Sequence, residues 1–142
     1  MLADQVALVT GATTGIGAGV AEKLASLGAN VIAVGLGASE ASYTPGLTIT
    51  ARELDVCDQS AVDNLIADLD RLDIVVNCAG VIRRQEEHQL DVFEKVLAIN
   101  LTGTMRVCTA AREKLAKSGG TIVNTASMLS FFRGGLVPAY SA

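Results

Sequence analysis

The run Gly11-Ala12-Thr13-Thr14-Gly15-Ile16-Gly17 stands between an apolar stretch, Val6-Ala7-Leu8-Val9, and a segment carrying Ile16, Val20, Leu24 and Leu27 at helical spacing. A turn that enters a helix from a buried strand brings bare backbone N–H groups and the positive end of a helix dipole to one point, where a pyrophosphate can sit. Glycine triads also serve as plain tight turns, and the run alone does not separate the two. It is not a P-loop, because no Gly-Lys-Ser/Thr follows. Arg83-Arg84 offers two guanidiniums able to grip a carboxylate bidentately, or to lie as solvated loop charges. Ser127 and Tyr140, taken singly, read as a turn hydroxyl and a half-buried aromatic, and Asn77 and Asn100 as ordinary polar residues. His88, the sole histidine, lies in a polar segment and reads as a surface residue, so no metal site is expected. Asp68, Asp70 and Asp73 read as a solvated helix end. Cys57, Cys78 and Cys108 form no Cys-x-x-Cys pair and would leave one unpaired in any disulfide scheme; each lies in an apolar stretch and reads as a small buried hydrophobe.

The elements that must position these residues follow from punctuation and period. After the Gly-rich turn and its helix, Gly28 is a stop, and Val31-Ile32-Ala33-Val34 is a second buried strand ending at Gly35. Gly35 to Gly46 has loop chemistry, rich in Gly, Ser, Thr and Pro. A short third strand is predicted from Ile49 to Leu54, and Asp58 or Ser60 can cap a helix bearing Val62, Leu65, Ile66 and Leu69. Asp73 leads into strand Ile74-Val75-Val76. A polar connection follows Gly80, and then one long helical pattern runs through Val92, Val96, Ile99, Leu101, Val107 and Leu115 to Gly119-Gly120. Thr121 to Thr125 reads as a fifth strand, and Pro138 suits a first helical position.

Strands alternating with helices imply right-handed βαβ crossovers and an α/β fold, a parallel, doubly wound sheet. The order 3-2-1-4-5 would place a ligand crevice at the switch between strands 1 and 4. Composition agrees. Half of the 142 residues are apolar and 18% are charged, and a mean hydropathy of +0.42 suits continuous buried strands. Glycine or polar residues interrupt every apolar stretch short of a membrane span. A net charge of −4 with no basic stripe argues against nucleic acid. The N-terminus lacks a signal-peptide pattern, and with the cysteine usage this predicts a reduced, cytoplasmic protein.

The spacing Thr10-Gly11-x3-Gly15-Ile16-Gly17 resembles the cofactor motif of the short-chain dehydrogenase/reductase family. Further motifs agree in order and spacing. Asp55-Val56 matches the adenine-contacting Asp of that family, and Asn77-Cys78-Ala79-Gly80 matches its Asn-Asn-Ala-Gly motif with one departure, at Cys78. Asn100 falls where the family's catalytic Asn lies on the long helix, Ser127 closes the fifth strand, and Tyr140 follows thirteen residues later. The resemblance spans residues 5 to 142.

It implies a Rossmann-like dinucleotide-binding domain over residues 1–142, lacking the C-terminal part of the fold, with the fifth strand as a bare edge. Cofactor binding is implied for Gly11, Thr13, Thr14, Gly15, Ile16, Gly17, Gly35, Asp55, Val56, Asn77, Ala79, Gly80 and Tyr140, with Asn77 more a structural hydrogen-bonder beside the cofactor. Asn100, Ser127 and Tyr140 are the implied catalytic set. Hydride transfer between a nicotinamide and an alcohol carbon needs a group that takes or gives the hydroxyl proton. A free tyrosine, with a pKa near 10, is too weak a base at neutral pH, and lowering it by ~3 units takes roughly 4 kcal/mol of interaction with the phenolate. The family supplies this with a lysine four residues after the tyrosine, two residues beyond Ala142, so these 142 residues alone are expected to be inactive. Ser127 would orient the carbonyl and Asn100 hold a relay water. Gly35 stands where an acidic residue would bind the ribose hydroxyls, and no Arg or Lys lies between Lys23 and Arg52 to pair a 2′-phosphate. NAD is therefore expected, with NADP left open. The stretches Ala79 to Arg84 and Ala126 to Ala142 are similar to the sugar-acid branch of the family, which makes Arg83, Arg84 and Ser127 candidate substrate contacts. A homo-dimer or homo-tetramer is implied for the full-length protein. The competing readings are a reductase of another carbonyl, such as 3-oxoacyl thioesters, and a non-catalytic dinucleotide-binding module.

Overall fold

Val6-Ala7-Leu8-Val9 is apolar at consecutive positions because the strand it forms is covered on both faces. The computed structural model describes residues 1–142. Strands β1 (Val6–Thr10), β2 (Asn30–Gly35), β3 (Ile49–Glu53), β4 (Ile74–Asn77) and β5 (Thr121–Asn124) form one parallel sheet in the order β3-β2-β1-β4-β5. Helices α1 (Gly15–Ser26), α2 (Gln59–Ala67), α3 (Leu90–Leu97), α4 (Thr104–Ser118), α5 (Leu129–Phe132) and α6 (Pro138–Ser141) connect or follow them. None of the helices is long and apolar enough to cross a membrane.

Alternate residues of β1, β2 and β4 feed two cores. Leu8, Val34 and Val75 pack with Val62, Leu65 and Ile66 of α2 and Val107, Ala111 and Leu115 of α4. On the other face Ala7, Val9, Ala33 and Val76 meet Ala21 and Ala25 of α1. That second face is built largely of alanine, so α1 seats close to the sheet and its N-terminus is delivered to the carboxyl end of β1. The helix ends obey their signals. Asp58 caps α2 by accepting from the Ala61 N–H at 2.9 Å, and Gly119, at φ +68°, closes α4.

Three expectations need correction. The single long helix is divided: α3 ends at Leu97, a π-helical segment runs from Ala98 to Gly103, and α4 begins at Thr104. Leu101, counted in the apolar stripe, is 61% exposed, because the wider turn rotates it out of line with Val96 and Val107. Asp73 is not a solvated helix-end charge. It is buried, accepts from the Val6 N–H at 2.8 Å and pairs with Arg71 at 2.8 Å, so it clamps the start of β4 to the start of β1. The three cysteines are free and half-buried rather than fully buried. The segment after β2 is the loop its composition predicts; it contains a 3₁₀ turn at Ala38–Glu40 and is tied down: the Tyr43 hydroxyl donates to the Ala12 carbonyl at 3.0 Å, and Thr44 donates twice to Glu22. Those two hydrogen bonds hold the Glu22 carboxyl below the usual carboxylate range. The β5 edge is open as expected, with Ile122 and Val123 exposed.

Candidate functional site

The site grows from the switch point, where the carboxyl ends of β1 and β4 lie side by side with Thr10 opposite Asn77. Thr10 is buried, and its hydroxyl oxygen accepts from the Cys78 and Ala79 N–H groups, each at 3.2 Å. Gly11 follows at φ +62°, and a Cβ there would stand 2.7 Å from the Ala79 backbone. A Cβ on Gly17 would likewise collide with the Gly11 carbonyl. Gly11 thus presses the Gly-rich turn against the Asn77–Gly80 turn, Gly17 lets the start of α1 fold back on Gly11, and only glycine permits either.

Gly15, also at positive φ, faces open space. The Thr14 side chain does not cap α1, and the first turn carries no acidic residue. The amino end of α1 is consequently bare towards the crevice. Thr13 has another role: its hydroxyl donates to the Leu36 carbonyl at 2.9 Å, and its side chain fills the space a Cβ on Gly35 would occupy.

On the β4 side, Asn100 lies in the π segment and uses both ends of its amide on one residue. Its Oδ1 accepts from the Val81 N–H and its Nδ2 donates to the Val81 carbonyl, each at 2.8 Å. With the side chain so engaged, a relay water would have to be held through the backbone carbonyl, which already accepts from the Thr104 hydroxyl at 3.0 Å. Asn77 Nδ2 donates to Asn124 Oδ1 at 2.8 Å, and Thr125 Oγ1 donates to the Asn77 carbonyl at 2.9 Å, so β4 sets the height of the segment that carries Ser127. Asn77 Oδ1 is buried without a partner.

A cleft of about 390 Å³ opens above these strand ends. Asn100, Ser127 and Tyr140 all line it, together with Ile16, Ala79 and Gly80. Cys78 lines it as well, and burial pushes its thiol up. The Cys57 thiol is also raised, by burial and by the neighbouring Asp55. Arg83 and Arg84 lie outside the lining, exposed, one and two residues beyond Ile82 of the cleft wall. Asp55 is exposed, and its carboxylate accepts from the Cys57 N–H at 2.8 Å. The Val56 side chain belongs to the core, and its carbonyl accepts from Arg106 at 3.4 Å. His88 is exposed, its Nε2 3.0 Å from the Gly135 carbonyl.

A family profile described as short chain dehydrogenase matches residues 5–142. The chain belongs to the short-chain dehydrogenase family. Among curated relatives of the family, D-threitol dehydrogenase of Mycolicibacterium smegmatis is 41% identical over 139 residues, covering 89% of this chain and 54% of that protein. The 2-dehydro-3-deoxy-D-gluconate 5-dehydrogenase of Bacillus subtilis is 37% identical over 152 aligned positions, covering 99% of this chain and 60% of that protein. The 3-oxoacyl-[acyl-carrier-protein] reductase of Aquifex aeolicus is 34% identical over 144, covering 92% and 58%. The chain thus spans little more than half the length of these short-chain dehydrogenases.

The residues present fit the dinucleotide that such a family implies. The bare end of α1 beside Gly15 suits a pyrophosphate, and the contact of Gly11 with Ala79 keeps side chains out of its path. Two residues with a part in the site escaped sequence reasoning. Glu53 faces Gly35 in the β2–β3 register and accepts from the Gly37 and Ala38 N–H groups at 3.1 and 2.8 Å; nothing local distinguishes it from other strand-end charges. Glu87, described below, carried no signal at all.

Proposed function

We propose that this chain is the cofactor-binding and proton-transfer part of an NAD-dependent dehydrogenase that interconverts a secondary alcohol and a ketone on a sugar acid. The observation that carries the reading is the convergence of Asn100, Ser127 and Tyr140 on one cleft, with Ile16 of the Gly-rich turn in the same wall. A bound nicotinamide supplies the hydride acceptor or donor. This chain's residues bind the substrate oxygen and carry its proton, in a full-length protein that supplies the lysine the family places four residues after the tyrosine. Ser127 hydrogen-bonds the substrate oxygen and fixes its distance from Tyr140. Tyr140 takes the hydroxyl proton in oxidation and returns it in reduction. Asn100 holds the Val81 backbone, and with it the wall that faces the tyrosine.

Preference for NAD is supported at the end of β2. Gly35 leaves no side chain there, and Glu53 brings a carboxylate against the turn that follows, which a 2′-phosphate would oppose. Arg52, the first cation after β2 along the chain, pairs instead with Asp68 at 3.6 Å. The sugar-acid class is supported by the relatives named for a deoxy-gluconate and by Arg83-Arg84 beside the cleft wall. A second reading, a neutral polyol, is favoured by the 41% identity to D-threitol dehydrogenase.

The test uses the full-length protein with a panel of a deoxy-gluconate, D-threitol and a 3-oxoacyl thioester, each with NAD(H) and NADP(H), read by nicotinamide absorbance. The expected result is fastest turnover of the sugar acid with NAD. Tyr140→Phe should remove turnover while calorimetry shows cofactor affinity nearly unchanged, because only the transferable proton is lost. Retention of a tenth of wild-type turnover would assign the acid–base role elsewhere, and cofactor binding with no turnover of any substrate would favour a binding module.

A further inference from the structure

Glu87 lies in the polar connection after β4, where neighbouring charges are exposed, yet it is only 1% exposed itself. A buried carboxylate gives up its hydration and persists only where something in the fold compensates it. No cation pairs with it: the ion pairs of the molecule are Arg52–Asp68 and Arg71–Asp73. Its compensation comes from two backbone amides on segments far apart in sequence. Oε1 accepts from the Arg83 N–H at 2.8 Å, and Oε2 accepts from the Tyr140 N–H at 2.9 Å. The Tyr140 amide lies in the first turn of α6, where backbone N–H groups have no intrahelical acceptor, and the Leu136 carbonyl one turn back accepts from Gln85 at 2.8 Å. One residue thus joins the wall that contains Val81 and Ile82 to the backbone of the tyrosine that closes the cleft opposite.

We propose that Glu87 is a positioning residue for Tyr140, setting the phenol's place against the Val81–Ile82 wall through these two amide hydrogen bonds. The proposal rests on the reading of Tyr140 as the proton-transfer group. Two features make the link specific to a carboxylate. Both partners are donors, so the residue must present two acceptor oxygens, which glutamine cannot do. And hydrogen bonds from amides to an ionised acceptor are shorter and stronger than neutral ones, which suits a contact that must hold a side chain to a fraction of an ångström. Arg83 gives its amide to Glu87, so the same contact also sets where the candidate substrate arginines begin.

The test compares Glu87→Gln, Glu87→Asp and Glu87→Ala in the full-length protein. Amide exchange should quicken at least tenfold at Arg83 or Tyr140 in Glu87→Gln and at both in Glu87→Ala. Turnover number should fall tenfold or more in Glu87→Gln with NAD affinity within twofold of wild type. Glu87→Asp, which keeps both acceptors and folds if the glutamine variant does not, should recover part of the loss. In a Tyr140→Phe background Glu87→Gln should have no further effect on residual turnover. Unchanged exchange at both amides overturns the link itself, and turnover within twofold of wild type in folded Glu87→Gln overturns the positioning role. Quickened exchange with a Tyr140→Phe protein as active as wild type overturns the assignment of Tyr140, and the positioning role with it, while leaving the two hydrogen bonds standing.

Discussion

Arg83 and Arg84 show what a single residue type can and cannot announce. Their side chains are exposed and make no ion pair, as solvated charges would, but the Arg83 amide is fixed by a buried carboxylate and the pair follows directly on the cleft wall. If either guanidinium holds the substrate carboxylate, its replacement by alanine should cost ~2–4 kcal/mol of transition-state binding, a fall of roughly 30- to 1000-fold in kcat/KM for the sugar acid. A neutral polyol of the same length should be turned over by Arg83→Ala and Arg84→Ala much as by the wild type. Steady-state kinetics on both substrates decide it: equal losses on the two, or none on either, return the arginines to solvent. Glu87 and Asp73 make the converse point. In sequence each sits among charged neighbours and looks like them; each has one partner close by, Arg83 or Arg71, and one brought in by the fold, the Tyr140 or Val6 amide. The distant half of such an arrangement has no local signature.

At the scale of elements the strands were legible because continuous apolar runs have few other uses, and the Gly-rich turn because glycine is required where two backbones touch. The π segment was not. Its residues satisfy the same three-and-four spacing as an α-helix, and the extra residue per turn shows only in what it does, swinging Leu101 outward and bringing the Asn100 amide onto Val81. Gly103 ends the segment in a tight place: a Cβ there would stand 2.7 Å from Val56 Cγ2. Gly103→Ala should therefore overpack the core and cost about 1–3 kcal/mol, read as a lower urea midpoint. Because the strain falls on the element that carries Asn100, kcat should drop as well. An alanine variant as stable as the wild type would mean that Val56 yields without cost.

Over the whole molecule the two ends of the sheet have different work. The carboxyl ends carry the cleft, whereas at the amino ends Asp73 joins β1, β4 and β5: it accepts from the Val6 N–H, its own N–H donates to the Val6 carbonyl, and its carbonyl accepts from Thr121. Asp73→Asn keeps the shape and removes the charge that Arg71 and the Val6 amide share. It should destabilise the protein by about 1.5–3 kcal/mol in chemical denaturation, with kcat and KM unaltered because the cleft lies at the opposite edge. A kinetic defect as large as the stability defect would show that the two ends are not independent. The fold class and strand order were readable from alternation alone, but this division into a holding edge and a working edge was not, since it depends on which strand ends meet.

The pairing of β1 with β4 also has a consequence in time. Val6 and Asp73 are 67 residues apart, so at a synthesis rate of ~5–20 residues per second the central strand leaves the ribosome about 3–13 s before its second neighbour exists. During that interval β2 can already pair with it on one side and α1 can cover one face, but the other hydrogen-bonding edge, the row from Ala7 to Thr10, stays open to any passing strand. The nascent chain is therefore most vulnerable to mispairing in its best-packed segment, and the arrival of Asp73 ends the exposure.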